Sequence, residues 1–172
     1  MSDAAPLVVV MGVSGTGKTT IGSLLATRLG AEFVDADSLH PTANIEKMAG
    51  GHPLTDADRW PWLSIVGRRL GEADAGGGRM VMACSALRRV YRDAILAEAP
   101  RTFFVHLAGT EETLSRRLEG RSDHFMPPAL LRSQLETLEH LEGDEPGATV
   151  DVSGTVDHIL DECVEAIGQW GR

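Results

Sequence analysis

Five consecutive apolar residues, Leu7-Val8-Val9-Val10-Met11, run straight into Gly12-Val13-Ser14-Gly15-Thr16-Gly17-Lys18-Thr19, and a helical pattern begins at Lys18. Nothing else in the chain constrains the fold as strongly. An unbroken β-branched run suits a central parallel strand buried on both faces. The octet fits G-x-x-x-x-G-K-[ST], and its place between strand and helix gives the pattern meaning. Glycines let backbone N–H groups converge on phosphate oxygens through conformations that a Cβ obstructs. The helix that follows points the positive end of its dipole at the same anion. Lys18 is placed to reach the β- and γ-phosphates of ATP, and the Thr19 hydroxyl to ligate Mg2+. The expected nucleotide contacts are therefore Gly12, Val13, Ser14, Gly15, Thr16, Gly17, Lys18, Thr19 and the adjoining Thr20. The competing reading, an ordinary glycine-rich turn, is disfavoured by the flanking elements.

Further short apolar runs lie at 32–35, 80–84, 102–107 and 148–152. Helical patterns separate them at 18–29, 41–48, 56–73, 88–98, 110–118 and 129–141, and an amphipathic stretch carries Val156, Ile159, Leu160, Cys163, Val164 and Ile167. Such alternation predicts an α/β fold of three layers, a parallel central sheet with helices on both faces and right-handed crossovers. The first strand is expected at the centre. No repeat or low-complexity linker interrupts the chain, so residues 1–172 are read as one domain.

A chain of 172 residues buries a real core without disulfides or metal staples. Sixteen Lys and Arg against 25 Asp and Glu give a net charge of −9, which counts against a nucleic-acid partner. Cys84 and Cys163 match no metal spacing and read as buried small hydrophobes in a reducing compartment. The N-terminus has no basic leader, and residues 7–11 are too few to span a bilayer. A cytoplasmic protein without membrane attachment is expected; a homodimer is compatible with the sequence but not specified by it.

In an open α/β sheet, ligands gather at the carboxyl ends of the strands. Asp35 and Asp37 end the second strand and should face the phosphate site. One carboxylate is suited to a Mg2+-bound water and the other to a substrate hydroxyl proton; the alternative is a helix cap. Asp37 is expected nearer the hydroxyl and Asp35 nearer the metal.

Several blocks now carry a family resemblance. They are Asp35-Ala36-Asp37-Ser38-Leu39-His40-Pro41, Asn44-Ile45-Glu46-Lys47-Met48, residues 53–63 (PLTDADRWPWL), Cys84-Ser85-Ala86-Leu87-Arg88-Arg89-Val90-Tyr91-Arg92-Asp93, His124-Phe125-Met126-Pro127 and Ser133-Gln134-Leu135-Glu136-Thr137-Leu138-Glu139. In this order, from the glycine loop to about residue 145, they resemble the gluconokinases. The chain departs at Ala36 and Asp123, where that family typically has Gly, and at Leu135, where Phe is usual. The resemblance implies ATP-dependent phosphorylation of D-gluconate at its 6-hydroxyl, Mg2+ as cofactor and a nucleoside-monophosphate-kinase-like fold. It also implies a substrate region at about 37–75 and a mobile lid at about 117–128. The implied catalytic residues are Lys18, Asp37 and Arg121, with Asp37, His40, Arg59, Arg88, His124 and Gln134 at the substrate and Thr19 and Asp35 at the metal.

The residues themselves leave alternatives open. A polyol acid needs a cation for its carboxylate, and the planar fork of Arg59 or Arg88 suits it, although either could be a surface ion pair. Of Arg89 and Arg92, at least one is expected to be a plain solvated charge. His40 either meets a hydroxyl or caps the helix after Pro41. Trp60 and Trp62 either stack on the sugar or anchor their helix. Arg116 and Arg117 read equally as helix-terminal cations. His52, His106, His140 and His158 have no motif behind them. Two rivals remain: another small kinase of the same fold, such as a shikimate-type kinase, and a non-catalytic ATP-binding sensor.

Overall fold

A computed structural model describes residues 7–119 and 128–170. In chain order the elements are β1 (Leu7–Met11), α1 (Lys18–Leu29), β2 (Glu32–Asp35), a 3-10 turn (Ala36–Leu39), α2 (Thr42–Ala49), α3 (Asp56–Ala75), β3 (Met80–Ala83), α4 (Arg89–Glu98), β4 (Thr102–Ala108), α5 (Glu111–Glu119), α6 (Pro128–Thr137), β5 (Gly147–Asp151) and α7 (Val156–Trp170). The strands form one sheet in the order β2-β3-β1-β4-β5, with every neighbouring pair parallel. The expected central first strand is present.

β1 explains the layering. All five of its residues are buried, and because side chains alternate, Val8 and Val10 enter one apolar cluster while Leu7, Val9 and Met11 enter the other. The first cluster is closed by Ile21 and Leu25 of α1 and by Ile159, Leu160, Cys163 and Ile167 of α7. The second is closed by Trp62, Leu63, Val66 and Leu70 of α3 and by Tyr91 and Ile95 of α4. The sheet is thus covered on both faces, as a parallel sheet requires.

Helix ends obey local chemistry. α1 ends at Gly30, left-handed at φ 64°, whose N–H returns to the carbonyls of Ala26 and Thr27. α3 starts with a capping box in which Thr55 accepts from the Asp58 N–H and Asp58 accepts from the Thr55 N–H. The pattern read as helix over 129–141 ends instead at Thr137. Beyond it, the Glu139 N–H bonds to the Leu87 carbonyl at 2.7 Å, and the Glu139 carboxylate takes the Arg89 N–H at 2.7 Å. Pairing with the loop before α4 therefore replaces helical bonds. Among the described residues no helix is long and apolar enough to cross a membrane.

Candidate active site

The sheet brings together the loops that leave β1, β2 and β3 at their carboxyl ends. The loop after β1 needs its glycines. Gly12 has φ 147°, and a Cβ there would lie 2.6 Å from the Leu107 carbonyl oxygen. Gly15 has φ 89° and packs against Leu118 and the Leu114 carbonyl. The loop curls tightly over β4 and α5 as a result. Thr16 is buried and bonds back to the Val13 carbonyl at 2.9 Å, and the Lys18 ammonium donates to the same carbonyl at 3.1 Å. Thr20 is exposed on the first turn of α1.

Asp35 faces two ways. Its Oδ2 lies 3.4 Å from the Thr19 hydroxyl, and its Oδ1 accepts the Asp37 N–H at 3.0 Å as the cap of the 3-10 turn. Asp35 is thus the cap that the sequence offers as one alternative, and the same side chain also faces the Thr19 hydroxyl. A hydroxyl beside a carboxylate is a hard oxygen pair that fits Mg2+. No group of three or more His, Cys, Asp or Glu among the described residues could hold an ion, so water and phosphate oxygens would have to complete its shell.

Asp37 is exposed, yet partial loss of surrounding water pushes its carboxyl above the ordinary range. Neighbouring Asp35 pushes the same way, while His40 and Lys18 oppose. His40 is held below its usual value, first by burial and also by Arg59, with Asp37 opposing. Its ring stacks on Trp62 at 4.2 Å, and its Nδ1 lies 3.2 Å from the Asn44 amide nitrogen. That amide only donates, so a hydrogen bond between the two calls for the His40 tautomer that carries its proton on Nε2. Trp62 is itself buried and donates to the Ala36 carbonyl at 2.8 Å, which makes it an anchor for the Asp35–Asp37 turn. Trp60 is 41% exposed, edge-on to Tyr91.

Past His40 lies a second cluster. Asp56 accepts from the Arg88 guanidinium at 2.8 Å and from the Tyr91 hydroxyl at 2.6 Å. Arg59 reaches the Tyr91 hydroxyl at 3.2 Å and Asp56 at 3.5 Å. The Tyr91 hydrogen bond, aided by Arg88 and Arg59, holds the Asp56 carboxyl below its usual range. Two forks and a phenol converge on one half-open carboxylate, which is the geometry of an anion seat.

The chain matches the AAA domain family over residues 7–141. It is 48% identical over 157 residues to a gluconokinase of Gluconobacter oxydans (strain 621H), covering 91% of this chain and 88% of that one. The chain belongs to the gluconokinase family. The thermosensitive gluconokinase of Escherichia coli (strain K12) is 41% identical across 92% of this chain and 86% of its own. A crystal structure of a gluconokinase from Sinorhizobium meliloti 1021 superposes with a TM-score of 0.88 at 43% identity, covering 98% of this chain and 95% of that one. A shikimate kinase from Aquifex aeolicus vf5 superposes at 0.62 with 15% identity over 94% of this chain, a likeness of fold alone.

On this gluconokinase-family scaffold, Thr19 touches Asp35, Asp37 feels the charges of Asp35, Lys18 and His40, His40 feels Arg59, and Arg59 and Arg88 meet at Asp56. Gln134 lies elsewhere: its side-chain oxygen accepts the Ser14 N–H at 2.8 Å, against the glycine loop. Arg121 and His124, with most of the span 117–128, lie outside the described residues; Arg117 donates to the Val152 carbonyl. Of Arg89 and Arg92, Arg89 is the one that stays at the surface, and it is ion-paired there. Arg92 is completely buried with Glu145, at 2.6 and 3.1 Å, and Arg89 holds Glu142 and Asp144. The acidic segment 142–145 folds onto α4, enclosing Arg92 and holding Arg89 in a surface ion-pair network. Asp56 and Tyr91 were assigned no role from sequence. A three-residue spacing from Arg88 to Tyr91, and from Asp56 to Arg59, was the available signal for that cluster.

Proposed function

We propose that this protein transfers the γ-phosphate of ATP to the 6-hydroxyl of D-gluconate. The observation that carries the reading is a continuous row of charged and polar groups. From the glycine loop and Lys18 it runs through Asp37, which feels both Lys18 and His40, and through His40, which feels Arg59, to the Arg59–Arg88 pair on Asp56. That span suits a substrate with a hydroxyl at one end and a carboxylate at the other. Gluconate is such a molecule, and the family relatives carry its name.

The glycine loop and the start of α1 offer N–H donors and positive dipole to the phosphates, with Lys18 adding charge where negative charge accumulates. Thr19 and Asp35 are the residues that would hold Mg2+, which when bound neutralises phosphate charge. Asp37 accepts the hydroxyl's hydrogen bond and orients it. Its raised pKa brings it closer to neutral, where proton acceptance is efficient, but a loose transfer demands positioning more than strong base. The neutral His40 offers Nε2–H to a substrate hydroxyl, and Arg59 and Arg88 exchange Asp56 for the substrate carboxylate. Arg121 is assigned to the transferring phosphate and His124 to the substrate, in a lid at about 117–128 beside an acceptor region at about 37–75. The whole forms one catalytic domain. A cytoplasmic location accords with two buried, unpaired cysteines.

The test is a coupled assay offering gluconate, related aldonates and shikimate with Mg-ATP, with product identification. Gluconate should be phosphorylated at its primary hydroxyl, and preferred turnover of shikimate would overturn the reading. Asp37→Asn should lower kcat by at least about 100-fold with ATP affinity retained. A near-normal kcat would remove Asp37 from the reaction, and absence of any single-turnover transfer by the parent protein would favour a sensor.

A further inference from the structure

Gln134 is the residue whose surroundings fit its expected role least. Among the acceptor-side groups, His40 feels the charges of Asp37 and Arg59, and Arg59 and Arg88 share Asp56 as partner, whereas Gln134 has no hydrogen bond to any of these residues. Its Oε1 instead takes the Ser14 N–H at 2.8 Å, across 120 residues of sequence. Ser14 lies between Gly12 and Gly15, both in left-handed backbone, so this N–H belongs to the stretch of loop that costs most to hold in one conformation.

The side chain making this bond is firmly seated. On α6, Leu131 is buried in the same apolar cluster as Val13, and Leu135 packs against that cluster. Five residues past Gln134, Glu139 is bonded in both directions to the loop that carries Arg88. Gln134 is therefore presented to the loop by a helix fixed before and after it. Its Nε2, which only donates, makes no hydrogen bond among the described residues.

We propose that Gln134 is a positioning residue of the phosphate cradle, not a gluconate contact: it holds the Ser14 end of the loop in shape and governs affinity for the nucleotide's phosphates. The inference rests on the reading that residues 12–19 receive ATP. The choice of an amide follows from relative strengths. An N–H bond to a neutral amide oxygen is about half as strong as one to a charged oxygen. A phosphate can therefore take the Ser14 N–H from Gln134, and the amide can rotate to offer Nε2–H to the same phosphate. A carboxylate at this position would hold the N–H as strongly as the phosphate does and would repel it as well.

Calorimetric titration of the whole protein with Mg-ATP, without any acceptor, measures the cradle alone; steady-state kinetics then give KM for each substrate separately. Gln134→Glu should weaken ATP binding by about tenfold or more. Gln134→Ala should weaken it by roughly threefold, through a less ordered loop. The gluconate KM should stay within about twofold in both variants, a split that general loss of structure would not produce. Should Gln134→Glu fold poorly, as read by its melting curve, Gln134→Ala and Gln134→Asn carry the measurement. Unchanged ATP affinity in these variants, or a rise confined to the gluconate KM, overturns the proposal. A parent protein that fails to bind ATP would instead overturn the reading of residues 12–19.

Discussion

Three arginines within five residues, Arg88, Arg89 and Arg92, meet carboxylates in two different ways. Arg92 and Glu145 are sealed from solvent, and Arg92 also donates to the Ala86 carbonyl at 2.9 Å. Ala86 is the one non-glycine residue with positive φ among those described, at 43°. The pair thus fastens a strained turn just before Arg88. Arg88 sits on Asp56 near the surface, 36% exposed against 42%. The chemistry is the same at both sites, but exchange is not. A sealed pair cannot trade its partner without leaving a bare charge in the core, whereas a half-wet pair can trade one carboxylate for another at little cost. The buried pair is built to fix the turn, whereas the open one leaves its arginine able to change partners.

Removing one member of each pair breaks this comparison most directly. Arg92→Ala leaves Glu145 charged and enclosed, which costs about 4 kcal/mol, or about 10 °C in the unfolding midpoint for a chain of this size. Replacing both partners by apolar residues, Arg92→Met with Glu145→Leu, should recover most of that loss. Thermal melts by circular dichroism decide it. If Arg92→Ala melts within about 2 °C of the parent, the sealed pair is not structural.

The sealed region has a second charge-sensitive member. His106 on β4 is fully buried, its ring lies 5.3 Å from that of His140, and neither of its nitrogens has a hydrogen-bond partner among the described residues. Burial first, then His140 and Arg92, push its pKa down to about 4. The unfolded chain, with histidine near 6.5, binds more protons than the folded one between these values. Stability must therefore fall as pH drops through that window, by about 2 kcal/mol from pH 7 to pH 5. Denaturant titrations at the two pH values should show this in the parent protein and not in His106→Leu. An equal loss in both would place the acid sensitivity elsewhere.

What the sequence made legible follows the range of the forces involved. The glycine loop, the five strands and the central position of β1 are written in local pattern, so they were readable, and so was the family. The Asp35 cap and its strand-end position beside Thr19 were readable because strand ends and turn chemistry act over a few residues. The partners of Arg92 and Gln134 were not. Glu145 and Ser14 lie 53 and 120 residues away, and only the packing of the 138–145 segment and α6 onto the core brings them in. His106 was unreadable for the same reason. Its isolation depends on what surrounds β4, not on its neighbours in sequence.

The gentlest test concerns the open pair. If Arg88 gives up Asp56 to bind a substrate carboxylate, as we propose, its loss should be felt by gluconate and hardly by the fold. Arg88→Ala should raise the gluconate KM by about tenfold, as expected for one charge-assisted contact at a partly wet site. The ATP KM should be unchanged, and the melting midpoint should move by no more than about 2 °C. Arg88→Lys keeps the charge and loses the planar fork, so it should recover only part of the affinity. Asp56→Asn sharpens the comparison from the other side, because an amide competes less well than a carboxylate for Arg88 and Arg59. If the open pair exchanges partners, this variant should bind gluconate no worse than the parent and up to a few-fold better. A large drop in gluconate affinity on Asp56→Asn would mean that Asp56 aims the arginines instead of yielding them. The open cluster would then be as fixed in purpose as the sealed one.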